Sequence, residues 1–406
     1  MKRLLALLMA GAMLLLPTFT ACSDSDAATT TAETTPMVTD APVTTPTDPK
    51  DATYDSITLG GVALSEYKIV YAPDEFARVK KTYRDSFDYG ETHYDKLIAV
   101  ELATVLQKMT GVTVSVVPDT EAESEHEILI GMTSRSQSTD NASVASNAYA
   151  YRIAMNGGKL CVNGGSAAAT YHALDALYAE FAAQNSKAVS IAADYSKRDS
   201  ADLITVACVG DSITEGYGCA NGTYCSYPAI LQRILWKDYV IINYGVSGKT
   251  MREDLNDAYI KTGAYNNMLR NARQADITLI MLGTNDSNRD QNWNANSTAK
   301  FEEGYRNLLN AIKAKNDDMT YFMMNCPVYS GNGAFGSKTV RDLQKSLTDT
   351  LIDEGWDLHF FDMHTYTKDV ITLKNFPDGL HPGNKGYGML ANGVAEMLEE
   401  YRATQN

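Results

Sequence analysis

Short apolar runs alternate with amphipathic stretches along residues 51–198. The apolar runs predict strands, and the stretches with apolar residues at helical spacing predict helices. The predicted strands are 67–71, 112–117, 127–131, 151–155 and 159–162, and the predicted helices are 95–109 and 167–183. The last two strands flank Asn156-Gly157-Gly158, a sequence typical of a hairpin turn. The order of elements predicts a small α/β domain over residues 51–198.

A second alternating pattern covers residues 199–406, and its apolar runs are nearly continuous. Its predicted strands are Leu203–Val209, Tyr239–Asn243, Ile277–Leu282, Thr320–Asn325 and Leu358–Phe361, and its predicted helices include Tyr227–Trp236, Phe301–Lys313 and Lys338–Glu354. Continuously apolar strands that alternate with helices are typical of a parallel sheet covered on both faces. The functional residues of such a sheet are expected just beyond the carboxyl ends of its strands.

The start of the chain is typical of an export signal. The apolar stretch Leu4–Leu16 follows two basic residues and is too short to span a bilayer. Next comes Thr18-Phe19-Thr20-Ala21-Cys22, which resembles a bacterial lipobox. The resemblance implies removal of residues 1–21 and a cell-surface lipoprotein anchored through Cys22. A plain secretory signal cut after Ala21 is the alternative.

Residues 22–50 are rich in Thr, Pro, Ala and Asp and contain almost nothing large and apolar. Such a segment buries too little surface to offset its ordering entropy, so we expect a disordered tether. The chain as a whole has a formal net charge of −15. That balance argues against a nucleic-acid partner and against membrane contact other than through a lipid anchor.

Five cysteines follow Cys22, and none of them has the Cys-x-x-Cys spacing of a zinc site. We therefore expect no metal. Cys219 and Cys225 flank a short turn-like stretch, and whether they form a disulfide is left open, because an exported protein allows it and the sequence does not decide it.

The first predicted domain resembles the small α/β accessory domain that precedes the catalytic barrel in some family 20 and family 67 glycoside hydrolases. Three features carry the resemblance: a helix that ends at Met109-Thr110-Gly111, the strand Glu127–Gly131, and the Gly164-Gly165 turn into a helix. This stretch offers no pair of acidic residues in a convincing catalytic context. We therefore expect it to have a packing or positioning role.

Four short motifs follow apolar runs of the second predicted domain or lie near its end. They are Gly210-Asp211-Ser212, Gly245–Gly248, Gly283-Thr284-Asn285 and Asp378–His381. Each motif alone has an ordinary structural interpretation, such as a helix N-cap for a serine or a turn for a Gly-Asn pair. Their order and their positions after successive strands make a shared site the better interpretation.

Together the four motifs resemble the sequence blocks of the SGNH/GDSL hydrolases. The resemblance covers residues 199–406 and implies a flavodoxin-like three-layer α/β/α sandwich with a parallel sheet. It places the nucleophile at Ser212, the base and its acid at His381 and Asp378, and the oxyanion donors at Ser212, Gly248 and Asn285. This mechanism passes through an acyl-enzyme and requires no metal or cofactor. The Gly-x-Ser-x-Gly elbow of the α/β-hydrolases does not occur at Ser212 or at Ser247, which is followed by Gly248 and Lys249.

Family members cleave short acyl esters, lysophospholipids or acetyl groups on polysaccharides. The export signal, the glycosidase-like accessory domain and the 24 tyrosines favour an acetylated carbohydrate, because tyrosine offers a flat apolar face to a sugar ring. Asp211 and Trp293 are candidate substrate contacts, although a structural turn and a core-packed loop are the alternatives for them. A lysophospholipase or cell-wall O-acetylesterase, and a non-catalytic carbohydrate-binding protein, remain competing hypotheses. The sequence does not indicate an oligomeric state.

Overall fold

A computed structural model describes residues 48–73, 94–219, 225–290, 292–327, 334–368 and 375–405. The predicted signal, Cys22 and nearly all of the predicted tether lie outside these ranges. No helix in the described ranges is long and apolar enough to cross a membrane.

The first α/β region is built on two sheets. Its strands are β1 (Ser56–Leu59), β2 (Val62–Ala63), β3 (Lys68–Tyr71), β4 (Val116–Pro118), β5 (Glu127–Ile130), β6 (Ala150–Asn156), β7 (Lys159–Gly164), β8 (Ala188–Ile191) and β9 (Ser196–Ser200). The larger sheet has the order β4-β3-β5-β7-β6-β9, and the smaller has the order β2-β1-β8. In the larger sheet β6 pairs antiparallel with β7 and β9, which confirms the predicted hairpin.

Two helices cover the first region, α1 (Tyr94–Thr110) and α2 (Ala167–Ala182). They bury apolar side chains that include Leu102, Leu174 and Phe181 in a core shared with β1, β3 and β5. The helix α2 begins where predicted, because the Ser166 hydroxyl accepts a hydrogen bond from the Ala169 N–H and caps it.

The second region contains a five-stranded sheet in which every described pair of strands is parallel. Its strands are β10 (Ile204–Gly210), β11 (Tyr239–Gly245), β12 (Ile277–Met281), β13 (Thr320–Met324) and β14 (Leu358–Phe361). Their order is β11-β10-β12-β13-β14, which is the flavodoxin-like order predicted above. The strands that follow β10 in sequence lie on opposite sides of it, β11 on one side and β12 on the other, so a binding crevice is expected at the carboxyl end of β10.

Helices lie on both faces of this sheet, as predicted. They are α3 (Ser212–Glu215), α4 (Tyr227–Ile234), α5 (Gly263–Asn271), α6 (Thr284–Arg289), α7 (Ala295–Lys313), α8 (Ala334–Asp353), α9 (Met363–Lys368) and α10 (Asn384–Gln405). Alternate residues of β10 enter two separate cores: Cys208 packs with α4 and α10, and Val209 packs with α7. Burial on both faces explains why the strand sequence is continuously apolar.

Several element boundaries differ from the predicted ones. The predicted strand 112–117 is shorter, since β4 begins at Val116. The helix α7 begins at Ala295 rather than Phe301, because Asn294 and Ser297 form a reciprocal capping box ahead of the apolar positions. The strand β9 belongs to the first sheet and crosses the boundary predicted after residue 198.

The two regions contact each other around the loop that joins α4 to β11. The Trp236 ring lies 5.1 Å from that of Tyr94 and 5.5 Å from that of Tyr171, both in the first region. Next to it, the Lys237 ammonium lies 3.1 Å from the Glu101 carboxylate and 4.4 Å from the centre of the Tyr171 ring. The second region therefore inserts an aromatic and a cationic side chain between α1 and α2.

We predict that Trp236→Ala lowers the free energy of unfolding by about 2 kcal/mol, less than for a fully buried tryptophan because the side chain is only half-buried. Urea unfolding followed by circular dichroism measures the change. Trp236→Phe keeps an aromatic ring at the interface, so it should lose less than half of the unfolding free energy that Trp236→Ala loses. Equal midpoints for the wild type and Trp236→Ala would contradict the importance of this contact.

Candidate active site

The candidate nucleophile lies at the point in the sheet where a crevice is expected. Ser212 follows β10 directly and is the first residue of α3, so its N–H belongs to the unsatisfied first turn of a helix. Asp211 caps this helix, since its carboxylate accepts a hydrogen bond of 2.9 Å from the Ile213 N–H. The side chain of Ser212 is nearly buried but retains 7% exposure.

The structure brings Ser212, His381 and Asp378 into one hydrogen-bonded chain. The Ser212 Oγ lies 2.8 Å from His381 Nε2. On the other side of the imidazole, Nδ1 lies 2.6 Å from Asp378 Oδ2. These are the contacts that a nucleophile, its general base and an orienting acid require. Residues 169 positions apart in the sequence therefore form the arrangement that the four motifs predicted.

Local backbone contacts fix the orientation of the acid. Asp378 Oδ1 accepts hydrogen bonds from the backbone N–H groups of Leu380 (3.0 Å) and His381 (2.7 Å). Partial burial raises the pKa of Asp378, but these bonds and that of the His381 ring outweigh it and hold the pKa below its ordinary value. The acid is therefore ionised at neutral pH and can stabilise an imidazolium.

Two backbone N–H groups are available for an oxyanion. Within the described residues, neither the Ser212 N–H nor the Gly248 N–H has a hydrogen-bond acceptor. Gly248 has a φ of +75°, a left-handed conformation that favours glycine. Asn285 lies between these two blocks and donates from Nδ2 to the Lys249 carbonyl (3.1 Å) and to Asp211 Oδ2 (3.4 Å). The three predicted donors therefore come from adjoining segments, and two of them are open.

The loop that carries Gly248 is held by two carboxylates that the sequence alone did not single out for this role. Glu215, at the end of α3, accepts hydrogen bonds from both the N–H and the hydroxyl of Ser247. Asp286 accepts bonds of 2.9 Å from the N–H groups of Met251 and Arg252. Carboxylates that follow the Ser212 motif and the Asn285 motif thus position the loop that carries Gly248.

Asp211 is a positioning residue, and its candidacy as a substrate contact is not supported. Its side chain is completely buried, so a substrate cannot reach it. Burial raises the pKa of Asp211 to about 7, even though the Ile213 N–H and the Thr284 hydroxyl bond to the carboxylate and lower it. Burial likewise raises the pKa of Asp286 to about 6. Both residues therefore serve as internal hydrogen-bond acceptors, which was the structural alternative.

Trp293 lies against the core of the second region. Its ring is 5.7 Å from that of Phe301, its indole N–H donates to the Thr298 hydroxyl at 3.0 Å, and the Arg252 guanidinium lies 5.8 Å from the ring centre. These contacts occupy much of the half-buried ring. The structure thus favours the core-packed interpretation of Trp293 over a sugar platform.

Sequence reasoning missed an aromatic side chain beside the base. Tyr217 is 56% exposed, and its ring lies 4.5 Å from that of His381. No motif marks it, because its position depends on how the segment after α3 folds back onto His381.

Cys219 and Cys225 are both present as thiols, so the disulfide considered above is not formed in this structure.

A cleft of about 570 Å³ lies between Tyr94 of the first region and the surface formed by α4 and β11. Glu215 and Gly245 line one end of it, whereas Ser212 and His381 do not line it. The cleft therefore borders the catalytic loops from the side without containing the triad.

The second region is similar to a known class of hydrolases. Residues 208–389 match the family model described as "GDSL-like Lipase/Acylhydrolase family". This region is therefore similar to the GDSL-like acylhydrolases, and the resemblance inferred from the four motifs is confirmed. The match does not extend to the first α/β region.

An acetylxylan esterase from Xylanibacter ruminicola is 28% identical over 220 residues, which are 49% of this chain and 44% of that protein. The chain thus matches less than half the length of that relative. Among solved structures, a family two carbohydrate esterase from Clostridium thermocellum is 20% identical, with a TM-score of 0.38 over 51% of this chain and 68% of that one. An aryl esterase from M. smegmatis is 17% identical, with a TM-score of 0.40 over 49% of this chain and 99% of that one.

We predict that Glu215→Ala lowers kcat for ester hydrolysis about tenfold. The substitution releases Ser247 and lets the Gly248 N–H move, and loss of a whole oxyanion donor typically costs about 10²- to 10³-fold. Glu215→Gln is the matched control, because its carbonyl oxygen still accepts both Ser247 bonds and should preserve most of kcat. Steady-state kinetics with circular dichroism as a folding check measures the effect. A kcat for Glu215→Ala equal to the wild-type value would show that the loop holds its position without this side chain.

A second prediction concerns stability and pH. Asp211 has a pKa of about 7 when folded against an ordinary value of 3.8, so the folded state binds the extra proton between these pH values. Its contribution is fully present below pH 3.8 and is lost as the pH rises towards 7. Relative to Asp211→Asn, the wild type should therefore lose unfolding free energy over this range, by at most about 1.4 kcal/mol per pH unit. Urea unfolding of both proteins at a series of pH values tests this, and a difference independent of pH would contradict it.

Proposed function

We propose that this protein is a serine esterase that removes short acyl groups, acetyl in particular, from a carbohydrate. The observation that carries the proposal is the continuous chain from Ser212 through His381 to Asp378, with contacts of 2.8 and 2.6 Å. A non-catalytic scaffold would have no need to keep these three groups in hydrogen-bond contact. These two hydrogen bonds therefore favour a catalytic function over the hypothesis of a non-catalytic binding protein.

Acylation begins with attack of the Ser212 oxygen on the ester carbonyl carbon, while His381 Nε2 takes the hydroxyl proton. The ionised Asp378 accepts the hydrogen bond from His381 Nδ1–H and so orients the ring, and its negative charge stabilises the imidazolium. The negative charge that develops on the carbonyl oxygen is received by the Ser212 and Gly248 N–H groups. Each such donor is typically worth about 3 kcal/mol in the transition state.

The tetrahedral intermediate collapses when the bond to the alcohol oxygen breaks and His381 passes its proton to that oxygen. The sugar hydroxyl leaves, and the acyl group remains on Ser212. Water then attacks the acyl-enzyme with His381 as base, and the acid product and the free serine form. Both half-reactions use the same donors and the same base.

The choice of a carbohydrate is supported by the relative whose name is acetylxylan esterase, which aligns over 220 residues. It agrees with the predicted export signal and with the resemblance of the first region to the accessory domain of some glycoside hydrolases. We also propose that the protein acts outside the cell, held at the surface through Cys22. In that position it would meet polymeric substrates that cannot enter the cell.

The test is acetate release from a panel of acetylated polysaccharides, with acetylated xylan first. We expect release by the wild type and a loss of at least about 10⁴-fold for Ser212→Ala, since the nucleophile is removed. Lysophospholipid is the comparison substrate, and little fatty acid should be freed from it.

Two outcomes would contradict the proposal in different ways. Fatty-acid release without acetate release would move the substrate class to lipids while retaining the mechanism. Acetate release that survives in Ser212→Ala would remove the proposed nucleophile itself.

A further inference from the structure

Tyr217 is unusual among the aromatic side chains of this protein. Of the described residues, it is the only aromatic among the large hydrophobic side chains that are clearly exposed. Many other tyrosines are fully buried, including Tyr178, Tyr227, Tyr239, Tyr259, Tyr305 and Tyr387. The high tyrosine content that favoured a sugar substrate therefore reflects the core for the most part, and among the described tyrosines Tyr217 has the most clearly exposed ring.

The backbone at Tyr217 is fixed against the catalytic groups. Its N–H donates to the Ser212 carbonyl at 2.9 Å, and its carbonyl accepts a bond of 2.7 Å from the buried Tyr387 hydroxyl. The next residue, Gly218, lies so close to His381 that a β-carbon there would be 3.1 Å from the histidine β-carbon. The ring of Tyr217 is thus placed by a tightly packed segment.

The position of Tyr217 determines which part of a substrate it meets. His381 takes the proton of Ser212 and later gives it to the leaving alcohol, so the alcohol oxygen must lie beside the imidazole. The oxyanion donors are the N–H groups of Ser212 and Gly248, and they hold the acyl carbonyl. Because the Tyr217 ring is 4.5 Å from the imidazole, with 53° between the ring planes, it borders the leaving-alcohol side.

We propose that Tyr217 is a specificity-determining residue that stacks on the sugar ring of the leaving alcohol. This inference rests on the proposed function and extends it to one side chain. An exposed phenol ring has an apolar face that matches the C–H face of a pyranose, and its hydroxyl stays in water. A small alkyl alcohol has no such face, so the ring discriminates between the two classes of ester.

The experiment compares the wild type and Tyr217→Ala on acetylated xylo-oligosaccharides and on ethyl acetate. For the variant, kcat/KM on the oligosaccharide should fall about three- to tenfold more than on ethyl acetate, because only the sugar ester loses an apolar face to stack on. Most of the difference should appear in KM. Tyr217→Phe keeps the ring face and should restore the wild-type ratio between the two substrates.

Met132→Ala is the matched control, because Met132 is 43% exposed and lies in the first region away from the triad. Met132→Ala should leave kcat/KM unchanged on both the oligosaccharide and ethyl acetate. Equal losses on both substrates for Tyr217→Ala would assign the ring to positioning His381 and overturn the inference, as would no loss on either. A wild type that cleaves ethyl acetate but no acetylated sugar would overturn the proposed substrate class as well. That result is seen in the wild type itself, so it differs from a result that overturns only the role of Tyr217, which is seen in the variant.

Discussion

The buried carboxylate of Asp211 is the interaction on which the site depends. It caps the helix that begins at Ser212, and it contacts Thr284 and Asn285 from the block that follows β12. One side chain therefore joins the carboxyl ends of two neighbouring parallel strands at the point where the sheet order reverses. Without an acceptor in this place, the first turn of α3 would leave a buried N–H unsatisfied, at a cost of about 1–3 kcal/mol.

The same carboxylate lies next to Ser212, where the proposed reaction would develop negative charge. A fully ionised Asp211 would oppose an oxyanion at the Ser212 N–H, but burial raises the pKa of this acid to about 7. The complete burial of Asp286 raises its pKa as well, to about 6. Asp211 can therefore organise the start of α3, and Asp286 the segment after Gly248, while both carry less negative charge than exposed carboxylates would at the same pH.

Much of the fold, and the motifs of the candidate site, could be predicted because they depend on residues that lie close together in the sequence. The continuous apolar strands predicted a parallel sheet, and the triad residues each lie in a recognisable short motif. Glu215 and Tyr217 could not be predicted in this way, because their roles depend on contacts with Ser247 and His381 that only the folded chain creates. The tyrosine count was similarly ambiguous, since the same ring that suits a sugar also fills a core, and composition does not record burial.

The first α/β region supports the site from a distance. Trp236 and Lys237 insert into it just before β11 begins, whereas Gly248 follows the end of the same strand. Since β11 is an edge strand of its sheet, it has a neighbour on only one side within that sheet. Contacts at its amino end therefore add to the pairing of β11 with β10 and to the hydrogen bonds that Gln232 of α4 makes with the β11 backbone. The first region thus adds a restraint on the strand that leads into the Gly248 loop, which is a positioning role that requires no substrate contact of its own.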